Sequence, residues 1–203
     1  MIDPSVLIGF LPWIAFAIIS SFFGLKIAAI IGLALQIAIF IPMARKRNYT
    51  TLEVYSLAFF VLLTIGILSL DGQGLENLSR WSAALSYGGL ASITWATIAI
   101  GKPFTIEYAK RMTPKEWWTS ELFISSNKSI SLGWSIAFLG ATVISITGAL
   151  SGFKFLFING LAWGCMFLAI IWHKRVLDDT MAKAKVLRGS SHYEKTAHFA
   201  ECK

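Results

Sequence analysis

Apolar residues run along this chain in six long stretches that contain no Asp, Glu, Lys or Arg. They are Ser5 to Leu25, Ile27 to Ala44, Val54 to Leu70, Trp81 to Gly101, Ser129 to Phe153 and Phe155 to Trp172. A hydrocarbon core about 30 Å thick takes roughly 20 residues of helix at about 1.5 Å per residue, so each run is long enough, or nearly so, to cross. Barrel strands are shorter, about 10 residues, and alternate polar with apolar. These runs do neither. The pattern predicts an all-α polytopic membrane protein whose six helices, at about 5–25, 27–44, 54–70, 81–101, 129–153 and 155–173, form three hairpins. Residues 174–203 make a basic tail.

Composition agrees, with 56% hydrophobic and 14% charged residues among 203, against the quarter or so charged in soluble domains. The first run follows Asp3 rather than a basic segment and shows no small-x-small cleavage site. It reads as a retained helix rather than a signal peptide.

The charge distribution sets orientation. Arg45, Lys46, Arg47, Lys102, Lys110, Arg111, Lys115, Lys128 and the seven Lys and Arg of the tail follow the second, fourth and sixth runs. Only Lys26, Arg80 and Lys154 follow the others. By the positive-inside rule the basic side is cytoplasmic, with both termini on it. The net charge of +7 is therefore mainly a topology signal that also suits anionic lipid head groups. Scattered over three segments, it argues against nucleic acid as a partner.

An offset of 128 positions aligns Gly24, Lys26, Ile30, Gly32, Leu33, Ala34, Lys46 and Arg47 with Gly152, Lys154, Ile158, Gly160, Leu161, Ala162, Lys174 and Arg175. Matches at one fixed offset suggest a duplicated hairpin. Gly89, Leu90 and Ala91 give a weaker echo. Gly160 and Gly164 have the spacing that lets helices approach closely in lipid, and packing within the monomer is favoured over a dimer face.

The longest connection, Lys102 to Lys128, is the most informative polar segment. Thr113, Pro114, Lys115 and Glu116 read as a capping box opening an amphipathic helix at the cytoplasmic interface, with Trp117, Trp118, Glu121, Leu122 and Ser125 on one face. Phe104 and Tyr108, four apart, suggest another amphipathic turn before it. Lys102, Pro103, Phe104, Tyr108, Trp117 and Trp118 are thus candidate partner-binding residues. Beyond Trp172 the helical spacing of Leu177, Met181 and Ala184 continues the last helix until Gly189, Ser190 and Ser191 end it.

No ionisable group is expected near the membrane midplane, which argues against a proton relay. Gln36, Ser86, Tyr87, Ser92, Thr94, Thr142, Ser145 and Asn159 do fall at depth. Hydrogen bonding between helices is favoured for them over a polar pathway, with Gln36 and Asn159 the candidates for the latter. His173 reads as a polar group at a helix end, and His192, His198 and Cys202 fit no usual zinc spacing. Cys165 and Cys202 lie too far apart in the topology to pair. With no catalytic fingerprint present, neither enzyme activity nor a cofactor has support.

This layout resembles the bacterial intracellular septation protein A family of inner-membrane proteins. The likeness rests on Phe10, Leu11 and Pro12, the cluster Arg45 to Arg47, Lys102 with Pro103, Asn127 through Trp134 to Phe138, and Phe153 and Lys154 with Gly160 and Leu161. It covers most of residues 8–175. Thr105 to Trp118 and the extended basic tail depart from it, which places the chain on a separate branch. The resemblance implies a bacterial inner-membrane location and a role in envelope maintenance or division through other membrane proteins, with no catalytic residue to carry over. Two functions stay open: a non-enzymatic scaffold or accessory subunit, and a small transporter or lipid-handling protein.

Overall fold

The computed structural model describes residues 4–151 and 155–201, with side chains over 8–151 and 160–187. Within them the chain is all-helical: α1 (Pro4–Phe23), α2 (Leu25–Arg45), α3 (Thr51–Leu68), α4 (Gly72–Ala99), α5 (Thr105–Met112), a 3-10 turn (Lys115–Trp117), α6 (Glu121–Ser151) and α7 (Phe155–Glu201). Three helices, α2, α3 and α6, are long and apolar enough to cross a membrane. The first helix adds a shorter apolar stretch, Ile8–Phe23.

Local chemistry explains the breaks. Gly24, at φ 83° and ψ 164°, separates α1 from α2 in a region of backbone space that is essentially open to glycine alone. Thr50 and Glu53 form a reciprocal capping box at the start of α3, satisfying two backbone donors that the helix cannot. At the other end of the bundle, Lys26 Nζ meets Asp71 at 2.6 Å. That contact places the α1–α2 and α3–α4 turns together.

α1 packs on α2 and α2 on α3, while α4 packs on α6 and α6 on α7. The α3–α4 contact is lighter. The first and last hairpins are therefore packing units and the middle one is not, since α4 pairs chiefly with α6. Aromatic rings join the two groups: Phe10 of α1 stacks on Trp134 of α6 at 5.5 Å and lies 5.9 Å from Phe138. Phe59 of α3 lies against Gly89 of α4, where a Cβ would come within 2.8 Å of its ring.

Large apolar side chains face outward as well as inward, and polar ones are buried among the core. Leu62, Ile136, Val143, Phe167, Leu168 and Ile171 are exposed, whereas Gln36, Ser56, Thr64, Thr94, Thr97, Ser131, Ser135 and Ser145 are buried. A continuous exposed apolar exterior of this kind marks a surface that meets something other than water.

Several boundaries differ from the sequence expectation. The fourth and fifth expected helices, here α4 and α6, start earlier, at Gly72 rather than near 81 and at Glu121 rather than near 129. Charged residues end an apolar run without ending a helix. For the same reason α7 continues through Gly189, Ser190 and Ser191 to Glu201, because a single glycine costs only about 1 kcal/mol of helix propensity. The capping box expected at Thr113 does not form. Pro114 holds Thr113 extended, at φ −112° and ψ 133°, as a residue before proline prefers, and only the short 3-10 turn follows. α6 opens on Ser120 instead, whose Oγ accepts from the Phe123 amide at 3.2 Å.

Candidate functional site

The densest polar cluster joins α2, α3 and α5 at the end of the bundle opposite the Lys26–Asp71 contact. It is organised by α5, a two-turn helix that begins just past Gly101 and Pro103. Gly101 takes φ 73° and the proline then forbids a continuing helical hydrogen bond. Phe104 and Tyr108, one turn apart, are each 1% exposed. On the side toward α6, Thr105 Oγ1 donates to the Asn127 carbonyl at 2.9 Å and lies 2.8 Å from Ser131 Oγ.

Toward α3 the fastening is stronger. Glu107 accepts from the Thr51 amide at 2.7 Å and from its hydroxyl at 2.9 Å. Thr50 Oγ1 donates to the Tyr108 hydroxyl at 3.1 Å. Arg111 donates to the Asn48 carbonyl at 2.6 Å, stacks over the Tyr108 ring at 5.1 Å, and lies 3.8 Å from Glu53. Burial pushes the Tyr108 phenol well above its ordinary range, so Tyr108 stays neutral and serves as a hydrogen-bonding anchor. α1 makes room for it: a Cβ on Gly9 would stand 2.8 Å from the Tyr108 oxygen.

Beneath this cluster lies Gln36, 1% exposed, whose amide nitrogen donates to the Glu53 carbonyl at 3.1 Å. Gln36 Oε1 and Glu53 Oε1 are buried and accept no hydrogen bond. Buried acceptors of this kind are uncommon and costly, about 1–3 kcal/mol each. Glu53, 1% exposed, is thus an ionisable group buried at the first turn of α3.

The expected docking residues separate into two sets. Lys102 is exposed, and Trp117 and Trp118 are half-buried. Trp118 donates to the Thr113 carbonyl at 2.8 Å and carries Lys110 Nζ 5.2 Å from its ring. Pro103, Phe104 and Tyr108 are buried and face inward, so they fasten the segment instead of offering surface. Gly160 is exposed and Gly164 half-buried, and a Cβ on either meets nothing within 4 Å among the described residues. Among those residues neither shows the close approach expected inside the monomer. Gln36 sits in the cluster, whereas the Asn159 side chain, like His192, His198 and Cys202, lies outside the described residues.

Several of the polar residues expected at depth turn back on their own helices. Ser86, Thr94 and Thr142 donate to carbonyls one turn earlier, and Ser145 Oγ is unpaired. Gln36 and Ser92 bridge to α3, the latter 2.9 Å from the Tyr55 hydroxyl. His173 differs from its expected place at a helix end. It is buried within α7, and its Nδ1 accepts from Trp134 Nε1 at 3.3 Å, which requires the neutral imidazole.

Thr50, Glu107 and Arg111 were not singled out by the sequence. The box Thr50-x-x-Glu53 was readable there, and so was the one-turn spacing of Glu107 and Arg111. Among the described residues no group of three His, Cys, Asp or Glu is placed to hold a metal ion. No family model, curated protein or solved structure matches the chain.

Proposed function

We propose that this chain is a six-crossing scaffold or accessory subunit of a bacterial inner membrane, with both termini cytoplasmic and the 102–128 segment as its docking platform. The resemblance to the septation protein A family supports a role in envelope maintenance or division. One observation carries the docking role: the longest connection is fastened to α3 and α6 by buried rings and short polar contacts, where a mere linker would need none. Such preorganisation lowers the ordering cost of a partner's binding. Lys102, Lys110 and Lys115 are exposed on it beside the half-buried Trp117 and Trp118, and aromatic residues are the side chains most enriched at binding hot spots.

A photo-cross-linking residue at position 102 or 115, installed in native membranes, tests this. A discrete adduct with a membrane protein, lost when Trp117 and Trp118 are both changed to alanine without a change in Tm, is expected. Adducts that survive the double substitution contradict it. Single cysteines at 46 and 115, reactive only from the cytoplasmic side, with one at 71 reactive only from outside, test the topology.

A second reading, a lipid-handling protein or small transporter, is favoured by the two unfilled acceptors on Gln36 and Glu53. Gln36→Leu separates the readings. It removes one orphaned acceptor together with one hydrogen bond, and replacing a polar group by an apolar one of similar size is then close to neutral. The scaffold reading expects unfolding free energy within about 1 kcal/mol of wild type and unchanged adduct formation. A stable variant that has lost cellular function supports the second reading.

A further inference from the structure

Arg47 is the one non-glycine with positive φ among the described residues, at 50°. It closes α2 in a Schellman-type ending, in which the Asn48 amide donates to the Met43 carbonyl at 2.9 Å and the Arg47 amide to Ala44 at 3.0 Å. Glycine usually takes this position because a Cβ is strained there. Strain kept in place of an easy glycine points to a use for the side chain.

The surroundings say what use. Arg45, Lys46 and Arg47 are exposed, and no ion pair engages them among the described residues. The Arg111–Asn48 bond brings α5, with exposed Lys110, against the same turn. Of the carboxylates nearby, Glu53 is buried beside Arg111 and Glu107 is held by Thr51. The positive charge of the turn is therefore uncompensated. Ile37, Ile41 and Arg45 follow one another at four-residue spacing on α2, all exposed, so an open apolar strip leads directly to the cations. Tyr49, 53% exposed and 6.0 Å from the Phe40 ring, flanks the strip where an amphipathic ring suits a head-group layer.

We propose that the α2–α3 turn, with the adjoining face of α5, binds the phosphate of an anionic phospholipid, with Arg47 as the principal ligand and Ile37 and Ile41 along the acyl chain. A guanidinium presents a planar fork matched to phosphate oxygens. The apolar strip selects a lipid over a free phosphate or an acidic soluble protein. The proposal rests on the membrane crossing of α2 but not on the docking role of the 102–128 segment.

Native mass spectrometry of the full chain in maltoside micelles, with phosphatidylglycerol and phosphatidylcholine at equal mole fraction, tests it without sidedness or a protein partner. The wild type is expected to retain phosphatidylglycerol at least fivefold over phosphatidylcholine. Arg47→Gly should abolish the preference with no fall in Tm, since glycine accepts φ 50° without strain, and Arg47→Lys should keep part of it. Excess inorganic phosphate should leave the lipid bound. Equal retention of the two lipids by the wild type, an Arg47→Gly variant that still prefers phosphatidylglycerol, or complete displacement by phosphate overturns the proposal. So does a cross-linker at position 47 that captures protein in place of lipid. If partner cross-linking from 102 or 115 fails while the lipid preference holds, only the docking role falls.

Discussion

Leucine at Gly32 is expected to destabilise the protein by about 3 kcal/mol, the upper range for overpacking a filled interior, while leucine at Gly160, an open site inside a helix, is expected to cost nothing and to stabilise by up to about 1 kcal/mol through helix propensity. A Cβ on Gly32 would sit 2.8 Å from Phe60 Cε1 and 3.5 Å from Phe16 Cβ. Both rings are held: Phe60 is 0% exposed and packs against Phe16 and Trp13. No flexible chain end is available to move aside, so α2 has to back away from α1 and α3. At Gly160 the same Cβ has nothing within 4 Å. Unfolding followed by helicity in mixed micelles for the two variants measures the contrast. Similar losses at both sites would mean that Gly160 also faces a packed surface, such as another copy of α7.

The contrast bears on the duplication, because these two glycines are partners in the 128-residue offset. Ala34 is exposed whereas Ala162 is buried. α2 ends at Arg45, but α7 runs straight through Arg175. Identities at a fixed offset do not fix burial, which depends on the neighbours each segment packs against. Among the described residues α2 is flanked by α1 and α3, whereas α7 packs chiefly on α6.

The same distinction governs what could be read from the chain. Helices α2, α3 and α6 were legible because long apolar runs report solvent preference directly. Some helix ends were not, since Glu76 and Arg80 of α4 and Lys128 of α6 lie on helices that continue past the apolar limit. In the candidate site, the four-residue spacing of Phe104 and Tyr108 correctly announced a helical turn. Its direction was hidden, because it depends on Gly9 leaving room and on Thr50 supplying a partner for the hydroxyl. Two equivalent Thr-x-x-Glu patterns stand at Thr50 and Thr113. Only the first becomes a capping box, since Pro114 and the Trp118–Thr113 bond commit the second to an extended turn. Contacts such as Arg111 with Glu53 join residues far apart in the chain and leave no local pattern at all.

That pair supports the largest electrostatic prediction. Arg111→Met should lower unfolding free energy by about 3 kcal/mol, because breaking a buried pair from one side strands the remaining charge at a cost of about 3–5 kcal/mol. The lower figure applies since the Arg111 side chain retains 16% exposure and the separation is 3.8 Å. The substitution also loses the 2.6 Å bond to Asn48 and the stacking on Tyr108. Glu53→Gln should cost less, about 1 kcal/mol, the usual worth of one hydrogen bond, because glutamine can still accept from the Thr50 amide and leaves Arg111 its carbonyl partner. Once the carboxylate is gone, removing Arg111 no longer strands a charge. The double variant should therefore lose about 1–2 kcal/mol less than the two single losses combined, a coupling within the range for residues in contact. A double-mutant cycle from unfolding in mixed micelles measures it, and strict additivity would show that the pair contributes nothing and that α5 is held by its rings and its other hydrogen bonds. If the coupling is found, α5 is tied by charge to the first turn of α3, and whatever draws Arg111 away loosens both together.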